Sequence, residues 1–252
     1  MLFHILGSET FIADSIHMLS KDHAILPPAL WELQRCATRI YFETDIERSP
    51  GIPACALLEV GMPLSSVVSE KTFAAATSLW ESFGIQLRIE TTKPWFAGLM
   101  LAVHLGQGLG YDRAFGVDCQ LWKATPPERR FVLEGTEALS AFDASPFHEQ
   151  LAYLEMVALT PSVITDRLQR LHKYWASNDA GGFEKELILA KQQFPVMTTG
   201  LVDNRNQAWL PAIIDLARLQ MPSLVLVGAL HLVGPASIPM LLSQLGFEVN
   251  AL

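Results

Sequence analysis

The stretch TFIADSIHMLSKDHAILPPALWELQRCATRIYFETD, residues 10–45, decides the fold class. TFIA (10–13) is rich in β-branched and aromatic residues and reads as a strand. Pro27-Pro28 then opens a helix over ALWELQRCA (29–37), whose apolar residues recur at helical spacing. A proline in the first turn gives up no hydrogen bond, because those amides lack helical partners anyway. Ile40, Tyr41 and Phe42 follow as a second short strand that stops at Glu43. Strand, helix, strand in this order builds parallel sheets, since parallel neighbours need a long crossover.

The same reading extends to both ends of the chain. LFHIL (2–6) precedes the turn residues Gly7-Ser8-Glu9, so it pairs with the 10–13 strand as an N-terminal β-hairpin. LVLVG (224–228) is uninterrupted apolar sequence, as a strand buried on both faces requires. His231 stands three residues beyond Gly228, before Gly234-Pro235 breaks the chain. FVLEG (131–135) and FEVNAL (247–252) read as further strands. Residues 50–63 are Pro- and Gly-rich loops, 64–108 are mostly helical, and FGVD (115–118) is a strand or turn with a helix behind it. Residues 136–194 are helical almost throughout, interrupted at Asp179-Ala180-Gly181-Gly182. Asp203 suits the N-cap of a helix over 204–220, with Pro211 bending it or delaying its start, and a last helix spans 235–245. The expected fold is α/β: a central mixed, largely parallel sheet with an N-terminal β-hairpin, flanked by helices. Residues 1–252 form a single domain, with 136–200 a helical lobe within it.

Composition narrows the partners. Half of the 252 residues are hydrophobic and 17% are charged, enough for a large core. The net charge of −8 and the lack of any Lys/Arg block argue against nucleic acid. Cys36, Cys55 and Cys119 show no metal-binding spacing, and their sparse, odd number fits a reducing compartment. MLFHILGSET lacks a basic segment and cleavage site, so the chain as written reads as cytoplasmic. An exported or periplasmic protein trimmed at its start would read the same. Leu99–Leu109 is the most membrane-like run, but it falls short of the ~18 residues that span a bilayer. The apolar middle helices allow a homodimer.

Three acid–base residues share one placement, at or just past a strand end: His17, Glu43 and His231. Ligands of open α/β sheets bind outside the carboxyl ends of strands, so neighbouring strands would let these side chains converge. Two imidazoles and a carboxylate suit a borderline divalent metal such as Zn, Mn, Co or Fe, which would lower the pKa of a bound water. Each residue also has a plainer reading. A histidine at a strand end is commonly a hydrogen-bonded structural residue, and Glu43-Thr44-Asp45 is an ordinary polar strand exit.

SIHML (15–19), LPPAL (26–30), IYFETD (40–45), FGVD (115–118), DNRNQAW (203–209) and VGALHLVGP (227–235) occur in that order. Together they resemble the TraB/PrgY/GumN family, which is related to the Tiki proteins and more distantly to the erythromycin-esterase and ChaN-like proteins. The resemblance covers nearly the whole chain. The GALHLVG segment and the step from His17 to Glu43 are its most specific parts. It implies an erythromycin-esterase/ChaN-like architecture and, from Tiki-like members, a metal-dependent hydrolase acting on a peptide or other small amide or ester substrate. His17, Glu43 and His231 become the implied metal ligands, with Glu43 as alternative general base. Arg205 and Asn206 match the family's Arg-Asn pair and are implied in catalysis, Arg205 as the group that polarises a carbonyl or orients substrate. Asp118 and Gly228 stand behind the ligands. Some relatives inhibit peptide pheromones and others bind haem, so a non-catalytic peptide or haem binder is the alternative. One departure favours it: the second Gly-x-x-His motif, 228–231, is intact, whereas the first begins with Asp14 in place of glycine. Asp14 there would add a charge near the site. Glu134, at another strand end, is a lesser candidate. His4, His23, His104, His148 and His172 carry no motif, and the six tryptophans read as core or interface anchors.

Overall fold

The computed structural model describes residues 1–47, 52–135 and 139–252. Its main sheet has six strands: β1 (Leu2–Ile5), β2 (Thr10–Ser15), β4 (Arg39–Phe42), β6 (Arg130–Val132), β7 (Ser223–Gly228) and β8 (Val249–Ala251). They lie in the order β6-β4-β7-β2-β1-β8. β6, β4, β7 and β2 run parallel, and β1 is antiparallel to both of its neighbours. The hairpin, the largely parallel sheet and the C-terminal closing strand are therefore as the residue patterns require. Two short strands, β3 (Leu19–Ser20) and β5 (Tyr111–Asp112), pair separately. At two residues each they are too brief for alternation to mark them.

β7 shows why 224–228 is continuously apolar. Val225 and Val227 pack on one face with Ile12, Trp209, Ile213 and Ile238. Leu224 and Leu226 pack on the other with Leu30, Ile40, Phe42, Leu121 and Trp122. The first face is covered by α10 (Asn204–Leu219) and α11 (Ile238–Gln244), the second by α1 (Pro28–Cys36) and α4 (Val117–Ala124). A central strand covered on both sides has no polar face to show.

The α-rich middle has its own core. Residues of α2 (Glu70–Ser82), α3 (Pro94–Gly108), α6 (Phe147–Leu159) and α7 (Pro161–Ala176) surround Trp80, Leu101, Leu154 and Val157. The helical region thus starts well before residue 136, because α2 and α3 belong to the same packed unit. The short α5 (Ser140–Asp143) precedes α6, and α8 (Ala180–Gln193) and α9 (Pro195–Thr198) lead back to the sheet. The loop expectation at 50–51 and the helical expectation at 136–138 fall outside the described residues. Among the described residues no helix is long and apolar enough to cross a membrane, and the three cysteines are free.

Of the two readings of FGVD, strand or turn, the structure has the turn, with α4 behind it. Two local expectations change. A strand reading of FVLEG shortens to Arg130–Val132, although the Leu133 and Glu134 amides still donate to the Phe42 and Glu43 carbonyls. Asp203 is not an N-cap: it has helical φ/ψ, and its side chain binds Lys191 instead. The helix is already running when it arrives, through α9 and a π-helical turn at Thr199–Asp203. That turn is a local widening no residue pattern marked, and such turns often sit beside functional residues. Pro211 lies inside α10 without delaying its start.

Candidate functional site

The register brings three strand ends together. Ser15 of β2 lies opposite Gly228 of β7, and Phe42 of β4 lies opposite Leu226. His17, Glu43 and His231 all leave the sheet from this central trio, at its carboxyl edge. Gly228 lies between them. A Cβ there would stand 3.2 Å from Glu43 Oε1, 3.6 Å from His231 Cδ2 and 3.9 Å from His17 Nε2. The two distant imidazoles and the acid therefore share one spot, and glycine leaves room for it.

Each imidazole is oriented from behind. His17 Nδ1 is 3.0 Å from Asp118 Oδ2, so the ring donates there and turns Nε2 toward Gly228. Gly116 allows this approach, because a Cβ at 116 would collide with the His17 carbonyl oxygen. The segment after His17 is tied down by His172, whose Nε2 lies 2.6 Å from the Met18 carbonyl. His231 Nδ1 lies 2.6 Å from Asn206 Oδ1, and the Asn206 amide nitrogen donates to the Ala236 carbonyl at 2.8 Å. Those bonds fix the Asn206 flip, and hence a His231 tautomer with a proton on Nδ1 and a lone pair on Nε2. Asn206 is fully buried and His231 nearly so, whereas the His17 side chain is 58% exposed and forms the open edge.

Arg205 closes the opposite side. Its guanidinium donates to Glu43 Oε2 at 2.6 Å, and its Nε donates to Glu134 at 3.0 and 3.1 Å. It lies over the Trp209 ring at 4.6 Å, and Nη1 approaches His231 Nε2 at 3.4 Å. The other Glu43 oxygen, Oε1, accepts from the Gly228 amide at 2.5 Å and lies 3.7 Å from His231 Nε2. Glu134 is the residue that sequence reasoning underrated. Its position past a strand end was the available signal, but only the β4–β6 pairing sets it beside Glu43. Trp209, read only as an anchor, also floors the site.

These contacts set the charges. Burial pushes the Glu43 carboxyl up, but His231, Arg205, His17 and the Gly228 amide together outweigh it and hold it down at about 2. Burial, joined by the Arg205 and His17 cations, lowers His231 to about 4 against the pull of Glu43, so its ring is neutral at pH 7. For His17, at the open edge, partial desolvation acts downward, yet Asp118 and then Glu43 win and raise it to about 9. A carboxylate held near 2 is a poor proton acceptor at neutral pH and a good anionic ligand or cation clamp.

The crevice over Ser15, His17, Glu43 and Asp118 encloses only about 10 Å³, roughly the space of a single water. Asp118 Oδ1 is buried there without a partner among the described residues. Among the described residues no three His, Cys, Asp or Glu side chains stand at distances that would hold a metal as they are. Asp14 does not join the cluster. The strand pleat sends it to the face opposite Ser15, where its carboxylate accepts from the Met1 ammonium at 2.6 Å.

A mixed, mostly parallel α/β sheet with two oriented imidazoles and an arginine-clamped carboxylate at its carboxyl edge defines the class of protein. The chain belongs to the TraB/PrgY/gumN family, whose profile matches residues 7–251. It is similar to the uncharacterized protein YbaP of Escherichia coli (strain K12), with 28% identity over 249 residues, covering 95% of this chain and 87% of that protein. The uncharacterized YbaP of Shigella flexneri is 28% identical over 248 residues, with the same two coverages. No solved structure gives a significant match.

Proposed function

We propose that the protein is a metal-dependent hydrolase of peptide or other small amide or ester bonds, with His17, His231 and Glu43 holding a divalent transition metal. The observation that carries this reading is the gathering of both imidazole rings and Glu43 Oε1 around Gly228, each ring fixed from behind by Asp118 or Asn206. A histidine anchored through one nitrogen to a carboxylate or carbonyl is the usual form of a metal ligand. When bound, the metal would supply Lewis acidity toward a carbonyl and a water of lowered pKa.

The chain's own groups divide the remaining work. His231, neutral and buried, offers its Nε2 lone pair without losing a proton. His17, held protonated by Asp118, gives up its proton on ligation, so binding strengthens as pH rises. Arg205 positions Glu43 and presents its Nη1 edge beside His231, where it can stabilise negative charge on a carbonyl oxygen. Glu134 holds Arg205 in place. The low Glu43 value favours ligation over general-base duty.

Metal uptake tests the reading. After dialysis against Zn, Mn or Co, elemental analysis of the full chain should find about one equivalent, lost in His231→Ala while circular dichroism stays native. Uptake unchanged by that substitution sinks the ligand assignment. A quenched-fluorescent peptide pool then reports cleavage by the loaded protein.

A second reading, capture of a peptide without cleavage, is favoured by the Arg205–Glu43 ion pair, which already engages the acid. Stoichiometric peptide binding with no product, at full metal occupancy, selects it. The haem alternative predicts a Soret band lost in His17→Ala.

A further inference from the structure

A second opening lies among the middle helices, between α7 and α8 and beside the end of α6. It encloses about 340 Å³ and shares no lining residue with the His17–Glu43 crevice. Pockets for small molecules begin at about this size. Met156, Ile164 and Leu189 form apolar walls, one from each helix, and Val163 stands half-exposed beside them in the first turn of α7. The polar part is basic. Arg167 and Arg170 of α7 both lean on one acid, Glu186 of α8.

These three charges do not cancel. The Glu186 side chain is 4% exposed and lies beneath the two guanidinium groups, so a ligand entering the opening meets cations. Arg170 Nε donates to Glu186 Oε1 at 2.6 Å, and Asp166 lies one turn back on the same helix. Arg167 is left short of partners. Its Nε stands 3.4 Å from Glu186 Oε2, and its two Nη nitrogens make no hydrogen bond among the described residues. Its side chain is 26% exposed, so they can be reached. Burial, joined by the Arg170 cation, pulls the Arg167 guanidinium below its ordinary value against Glu186 and Tyr153, as expected of a cation with too little opposite charge. The planar fork of an arginine matches both oxygens of a carboxylate.

The geometry points to a second ligand site, in which this opening takes a medium-chain aliphatic carboxylate, its head on the Nη edge of Arg167 and its tail along Met156, Ile164 and Leu189. Two cations against one buried acid select the head, and the apolar walls select the tail. An amine of the same shape would meet like charge, and an alcohol would lack the charge that the fork is short of. The site is independent of the hydrolase reading, since none of His17, Glu43 and His231 lines it.

Isothermal titration of the full chain at pH 7 with octanoate, octan-1-ol and octylamine tests this. Octanoate should saturate at one equivalent, with the alcohol and the amine weaker by about tenfold or more, the value of one charge-assisted hydrogen bond. Arg167→Gln should weaken octanoate by about the same factor. Val163→Glu should do so by another route, because it sets a carboxylate one turn before Arg167 that occupies the fork. Position 163 is exposed and lies in a first helical turn, which favours an acid, so this variant decides the matter if Arg167→Gln fails to fold. Equal binding of all three amphiphiles, undiminished octanoate binding to either folded variant, or no octanoate binding to the parent each overturns the proposal.

Discussion

Arg205→Ala is the most informative perturbation of the site. It removes the cation that bridges Glu43 and Glu134, whose side chains are 9% and 12% exposed, and leaves two buried carboxylates side by side. The depression of Glu43 from 4.5 to about 2 corresponds to about 3 kcal/mol of net favourable interaction with its ionised form, at 1.36 kcal/mol per tenfold change, shared among His231, Arg205, His17 and the Gly228 amide. Removing one partner of a buried pair costs about 3–5 kcal/mol by comparison with other proteins. The variant should therefore lose about 3 kcal/mol at pH 7, measured by urea denaturation followed by circular dichroism. The pH dependence is specific. Because the folded value of Glu43 is depressed, its stabilisation is present above about pH 4.5 and is lost as pH falls toward 2. In the alanine variant one of the groups that hold Glu43 down is gone, so Glu43 takes up a proton more readily and the penalty shrinks on acidification. A loss under about 1 kcal/mol at pH 7, or one unchanged between pH 7 and pH 4, would refute the clamp. Arg205→Lys keeps the charge but not the fork, and should recover only part of the loss.

Two further expectations follow from the imidazoles and their glycine. Asp118→Asn removes the principal group raising His17, so NMR titration of that ring should move down from about 9 toward 6.5. An unmoved titration would mean that Asp118 does not govern the ring. Gly228→Ala has permissible backbone angles, φ −58° and ψ 143°, but its methyl would crowd Glu43 Oε1 at 3.2 Å. It should cost about 1–3 kcal/mol in stability, leaving the chain folded, and reduce metal uptake about tenfold or more. Full uptake in this variant would show that the space over Gly228 is not where a ligand sits.

The residues differ in how far they could be read in advance. His17, Glu43 and His231 were legible as residues at or past strand ends, because apolar runs stop visibly at Ala13, Phe42 and Gly228. Arg205, Asn206 and Asp118 came from the family likeness, since an arginine or aspartate in a helical sequence has no pattern to distinguish it from a solvated one. Glu134 and Trp209 were underrated for the same reason. Asp14 shows the converse. Its place in a motif suggested a charge at the site, but β2 alternates faces and turns it away, onto the Met1 amino group.

The sequence by itself determined the local alternation of strands and helices, the burial of 224–228 and the family, because periodicity, prolines and glycines act over a few residues. Only the tertiary structure decided that 17, 43 and 231 meet, that one guanidinium joins Glu43 to Glu134, and that Asp14 points elsewhere. Those facts depend on strand order and register, which set side chains from remote segments within hydrogen-bonding reach and are encoded in no single segment.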